Sequence, residues 1–169
     1  KGDKISEAYY GVDSEPVYVK KKGYARYAAT LDRPGRVIRQ EYFGADNRLV
    51  NGHGGYAVIE QTYENNRFPL PQSRSYLDAD ERPVNIRDGY AKIEFVYDKR
   101  GRVSQEKYFD HNGERTVNSK GYWRFKKLYT VYGKLGEEYY YDVNDEPVSV
   151  PSLGYASASY KYIGKTLLA

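Results

Sequence analysis

The stretch GYAKIEFVYDKRGRVSQEKYF, residues 89–109, decides the fold. Ala91, Ile93, Phe95 and Tyr97 alternate with Tyr90, Lys92, Glu94 and Val96. A period of two belongs to a strand, not a helix. Asp98-Lys99-Arg100-Gly101 then supplies a turn, in which Asp bonds its own backbone and Gly accepts a positive φ. A second strand follows from Val103 to Phe109, with Val103, Gln105, Lys107 and Phe109 on one face. A second tight turn, Asp110-His111-Asn112-Gly113, ends the unit, and an irregular segment leads to the next Gly-Tyr. The stretch therefore reads as a β-hairpin with a connector.

That unit recurs. Copies begin at YYGVDSEPV (Tyr9), YFGADNRLV (Tyr42), YLDADERPV (Tyr76), YFDHNGERTV (Tyr108) and YYDVNDEPV (Tyr140), in steps of 33, 34, 32 and 32 residues. A Gly-Tyr pair begins 13 or 14 residues after each leading tyrosine, giving Tyr24, Tyr56, Tyr90, Tyr122 and Tyr155. Two anchors holding phase over five copies define repeats at approximately 9–41, 42–75, 76–107, 108–139 and 140–169. One hairpin is marginal alone, whereas stacked copies bury a continuous ladder of side chains. The expected fold is all-β, tandem β-hairpin repeats forming an elongated twisted sheet or a β-solenoid, as a single array over residues 1–169. The fifth copy loses its pattern after Tyr162, which reads as a cap or a cut. The opening Lys1-Gly2-Asp3 falls in mid-pattern, as in a piece of something longer.

Composition supports this reading. Apolar residues make up 40% of the 169, 21 of them are tyrosine, and methionine is absent. Tyrosine suits half-buried pleated surfaces, with the ring covered and the hydroxyl bonded. Charged residues reach 30%, but disordered chains are poor in aromatics, so disorder is not expected. A net charge of +4, with both signs mixed along the chain, leaves no electrostatic footprint for nucleic acid. No long apolar run predicts membrane insertion, and without cysteine there is no disulfide or thiolate metal site.

Catalytic chemistry finds no foothold. His53 and His111 sit in Gly- and Asn-rich connector or turn positions, with no nucleophile spaced beside them. The acids Asp78, Asp80 and Glu81, and Asp142, Asp145 and Glu146, occupy positions that are turns in every copy. Neither set offers the ligand run of a calcium loop. Gly52-His53-Gly54-Gly55 precedes a strand, so no helix N-terminus follows to hold a phosphate. No enzyme activity, cofactor or metal is expected.

YFDHNGERTV at 108–117 and YDKRGRV at 97–103 resemble two kinds of bacterial surface repeat. One is the cell-wall-binding kind, including choline-binding repeats and the repetitive oligopeptides of clostridial toxins. The other is the tyrosine–aspartate repeat of Rhs-type proteins. This unit is longer than the first kind and uses tyrosine where that kind favours tryptophan. The resemblance implies an extracellular or cell-surface location and, as partner, a glycan or cell-wall polymer or other domains of a longer chain.

Exposed aromatic faces stack on sugar rings, and repetition of weak sites gains by multivalency. The expected function is a non-enzymatic surface or secreted module that binds glycan or cell-wall polymer through aromatic faces. The alternative is a purely structural spacer, stalk or shell segment of a larger Rhs-like protein. Candidate contacts among the recurring residues are Tyr24, Tyr56, Tyr90, Tyr122 and Tyr155, which serve equally as a packing ladder. The others lie where copies differ. Trp123 stands where other copies have Ala25, Ala57, Ala91 and Ala156, and either fills a gap or projects a platform; Phe125 follows two residues on. Phe68 is expected at the tip of Asn65-Asn66-Arg67-Phe68-Pro69-Leu70-Pro71, an excursion whose prolines cannot donate to a ladder.

Overall fold

A computed structural model describes residues 4–64, 69–163 and 166–167. The chain forms two compact units, divided after Arg87. The first holds β1 (Ser6–Ala8), β2 (Arg26–Leu31), β3 (Val37–Phe43), β4 (Val58–Thr62) and β5 (Ser73–Leu77), antiparallel neighbours in sequence order. The second holds β6 (Lys92–Tyr97), β7 (Val103–Phe109), β8 (Arg124–Tyr129), β9 (Leu135–Tyr141) and β10 (Ser157–Ser159), joined in the same way. A short pair, β11 (Tyr162–Ile163) with β12 (Thr166–Leu167), follows. No helix occurs among the described residues. The fold is the expected all-β series of hairpins, and in each unit the strands lie side by side as an open sheet, not a barrel.

Turn chemistry sets the phase of the repeat. After β6 the Asp98 N–H donates to the Arg102 carbonyl at 2.9 Å, and the Gly101 N–H donates to the Asp98 carbonyl at 3.0 Å. Gly101 has φ 78°, and the register shifts between Val96 and Tyr97. This is a type I turn with a left-handed residue forming a bulge, a geometry that matches strand twist. Asp32 to Arg36 and Thr130 to Lys134 repeat it with the same two bonds. The turn after each leading tyrosine has the same form, and its fourth residue is left-handed in all five copies: Ser14, Asn47, Glu81, Gly113 and Asp145. The segment expected to be irregular proves ordered. It closes in a third turn, where the glycine of every Gly-Tyr pair has φ between 78° and 94°. Two turns needing positive φ in every copy, with a third in the first, third and fourth copies, explain why the pattern holds so strictly.

The excursion at 65–71 lies partly outside the described residues, Phe68 included. On its far side the Gln72 N–H donates to the Thr62 carbonyl at 2.7 Å, and Thr62 and Ser73 share a hydroxyl bond of 2.7 Å. β4 and β5 therefore stay in register from Val58 opposite Leu77 to Thr62 opposite Ser73.

Alternation along the strands divides each sheet into two faces. In the second unit, Ile93, Tyr108, Tyr122, Phe125, Tyr140 and Val150 form the core on one face, with Phe95, Val103 and Tyr155 packed against them. The other face carries Lys92, Arg124 and Lys126 among half-covered aromatic rings.

Candidate functional site

The recurring tyrosines build one continuous feature in each unit. Ring centroids follow one another at 6.2 Å (Tyr9–Tyr24), 5.1 Å (Tyr24–Tyr42), 6.0 Å (Tyr42–Tyr56) and 4.9 Å (Tyr56–Tyr76). In the second unit they follow at 4.8 Å (Tyr90–Tyr108), 6.0 Å (Tyr108–Tyr122), 4.9 Å (Tyr122–Tyr140) and 6.4 Å (Tyr140–Tyr155). Tilted and edge-on pairs at these spacings are favourable by about 0.5–1.5 kcal/mol each beyond burial. Every leading and Gly-Tyr tyrosine is buried or half-buried. The five tyrosine candidates thus serve the ladder first, and what they offer a ligand is an edge or part of a face.

In three of the five copies a carboxylate two residues before the leading tyrosine, Glu7, Glu106 or Glu138, accepts from ladder hydroxyls. Glu138, 5% exposed, accepts hydrogen bonds from Tyr155 and Tyr160 at 2.7 Å each and from Tyr140 at 3.0 Å. Burial pushes the Glu138 carboxyl up, but the three hydroxyls and nearby Lys127 outweigh that and hold it below the ordinary value. Glu7 is bonded by Lys4 and by the Tyr24 hydroxyl, which together bring its carboxyl down to about 2. Burial pushes the Tyr42 phenol up to about 12.

Trp123 fills a gap. It is 3% exposed and meets the Phe109 ring edge-on at 5.9 Å, with the Arg115 guanidinium 4.4 Å from its centroid. Its indole N–H finds no acceptor among the described residues. Phe109, Arg115 and Arg124 supply the wall around the indole. As the neighbour of Tyr122 in an extended chain it points to the face opposite the ladder. Phe125, 7% exposed, lies on the ladder face, edge-on to Tyr122 at 6.2 Å with Lys127 over its ring.

What remains open lies between successive connectors. In the first unit a cleft of about 220 Å³ is lined by Lys22, Tyr24, Tyr42, Gly52, His53, Gly54 and Tyr56. In the second a cleft of about 480 Å³ includes Lys120, Tyr122, Phe125, Tyr140, Ser152 and Leu153. These are one cleft built twice. Lys22 and Lys120 each stand two residues before the Gly-Tyr tyrosine, Tyr42 and Tyr140 lead the following copy, and His53 matches Ser152. The clefts gather Tyr24, Tyr56, Tyr122 and Phe125 from the expected contacts; Trp123, Tyr90 and Tyr155 do not line them. The His53 ring bonds the Lys20 carbonyl at 2.7 Å, tying one connector to the next. In the third copy Asp88 takes the lysine position and is tied to Ser119, whose N–H donates to the Asp88 carbonyl at 2.7 Å.

One recurring residue escaped the sequence reading. Tyr63, Tyr129 and Tyr162 donate their hydroxyls to the carbonyls of Val37, Val103 and Leu135 in the preceding copy, at 2.9, 3.0 and 2.7 Å. Arg36 and Arg102 lie over the rings of Tyr63 and Tyr129 at 4.5 and 4.0 Å, each also paired to the turn aspartate, Asp32 or Asp98. The signal was present: these tyrosines, and Tyr97, fall seven residues after each Gly-Tyr tyrosine, where the first copy has Leu31.

Among the described residues no cluster of His, Cys, Asp and Glu could hold a metal ion. Fold and site together define a tandem β-hairpin repeat protein with shallow clefts at its connectors. No protein-family model and no curated protein sequence matches the chain.

Proposed function

We propose that this chain is a non-enzymatic surface or secreted repeat module that takes a glycan or cell-wall polymer in the clefts between successive connectors. The observation that carries this reading is the duplication: the same lysine, Gly-Tyr tyrosine and leading tyrosine line an open cleft in each unit. A shallow cleft with partial aromatic faces and a few polar groups suits a sugar ring, and weak sites repeated along one chain gain by multivalency. The binding face moves from Trp123 to the connectors, because the Trp123 ring is already occupied by its neighbours.

The test is retention of the protein on an insoluble cell-wall polysaccharide support. His53→Trp and Ser152→Trp place a bulky ring in each cleft from exposed positions outside the ladder. The double variant is expected to lose retention while its far-UV circular dichroism is unchanged. Equal retention of variant and wild type contradicts the reading.

A purely structural spacer is the second reading. The packing of the recurring tyrosines against one another favours it, since aromatic faces spent on neighbours hold hairpins in phase without any ligand. The same assay separates the two: a spacer shows no retention on any wall polymer.

A further inference from the structure

The two clefts share a charge as well as a shape. The lining of the first contains Lys22 and no carboxylate. The lining of the second contains Lys120 and Lys127 against one acid, Glu106, which already receives the Tyr108 hydroxyl. Lys22 is loosely compensated, its ammonium 3.7 Å from a Glu7 oxygen, while the other oxygen of Glu7 is paired with Lys4. Lys120 forms no ion pair among the described residues and is exposed. The position is not basic by default, because in the third copy it is Asp88, used to tie the connectors together.

We propose that each cleft is a subsite for a carboxylated sugar, a uronic acid unit of an acidic polysaccharide. The carboxylate meets the ammonium of Lys22 or Lys120, and the ring lies against the tyrosine pair Tyr24–Tyr42 or Tyr122–Tyr140. The inference rests on the cleft-binding reading and adds the class of sugar. A single flexible ammonium suits one carboxylate; the planar, two-pronged guanidinium that favours bidentate anions is absent from both linings. Beside it, the tyrosine edge offers a partly apolar surface for the C–H face of the sugar.

The experiment is calorimetric titration of the whole chain with trigalacturonate and, separately, with its methyl ester, which keeps the rings and removes the charge. The acid is expected to bind and the ester to bind several-fold more weakly. Lys22→Gln and Lys120→Gln should each weaken binding of the acid by about two- to fivefold at low salt, the range of an exposed ion pair, and the loss should fade as salt rises. Lys126→Gln, on the opposite face, should bind as the wild type does. Equal binding of acid and ester overturns the acidic-sugar inference and leaves the cleft reading standing, as does a double lysine variant that binds like the wild type. Binding of neither compound, with wall polymer still retained and cleft-dependent, also overturns the inference alone. Binding of neither, with no retention, removes both.

Discussion

The Tyr129 hydroxyl donates to the Val103 carbonyl at 3.0 Å, fastening β8 to the start of β7 one repeat back. The Arg102 guanidinium lies over the same ring at 4.0 Å and reaches back to Asp98, whose carboxyl it holds down to about 2. One tyrosine thereby locks a turn, a bulge and the next hairpin together. Tyr129→Phe keeps the ring and removes the bond, so unfolding in urea should show a loss of about 1 kcal/mol. Tyr132→Phe, at a turn tip where the ring is 84% exposed, should show none.

Trp123→Ala restores the residue found at this position in the other copies, yet it should destabilise. Phe109, Arg115 and Arg124 are arranged around the indole, and its removal leaves a cavity costing about 3–5 kcal/mol. Denaturant melts of the variant check the cost. The wild-type indole should emit at short wavelength and resist quenching by iodide.

Backbone conformation gives a paired test. Gly121 has φ 94°, and an added Cβ would lie 3.0 Å from the Pro151 ring, so Gly121→Ala should cost about 1–2 kcal/mol or more. Ser14 occupies the same left-handed turn position as Gly113, with φ 64°. Ser14→Gly should leave stability unchanged or raise it by up to about 1 kcal/mol, because strain relief outweighs the added chain entropy. Thermal melts of both variants decide the signs.

Acid should act through Glu138. Its carboxyl is held below the ordinary value of 4.5, so its contribution is fully present above that pH and is lost as pH falls through the lower folded value. Urea midpoints measured from pH 6 down to pH 3 should fall in the wild type, and the slope should be shallower in Glu138→Gln. At the alkaline end the sign reverses. Tyr42 titrates near 12 in the folded protein against an ordinary 10.0, so its contribution is present below pH 10 and lost as pH rises toward 12. Tyrosinate absorbance should therefore rise together with loss of the sheet signal in circular dichroism.

The hairpin was legible because alternation and turn residues are local properties. Ala91 to Tyr97, Asp98 to Gly101 and Val103 to Phe109 say strand, turn and strand without reference to anything distant. The ordered connector was less legible: Gly23 and Gly121 mark positive φ, but the residue whose backbone closes the turn changes from copy to copy, Val19, Gly52, Asn118 and Val150. Trp123 was ambiguous for the same reason. A lone large ring where others have alanine can fill or project, and only Phe109 and Arg115, brought in from another strand and a turn, decide which. The clefts were not legible at all, since Lys22 and Tyr42 belong to different copies and meet only through the antiparallel register.

The proposed ligand contact falls at the connector clefts, while Trp123 belongs to the fold. The most direct test is a nuclear magnetic resonance titration of the whole chain, labelled at tyrosine rings and the tryptophan indole, with trigalacturonate. Shifts at Tyr24, Tyr42, Tyr122 and Tyr140, with the Trp123 indole unmoved, are the expected result. Shifts confined to Trp123, with the cleft tyrosines silent, would contradict it.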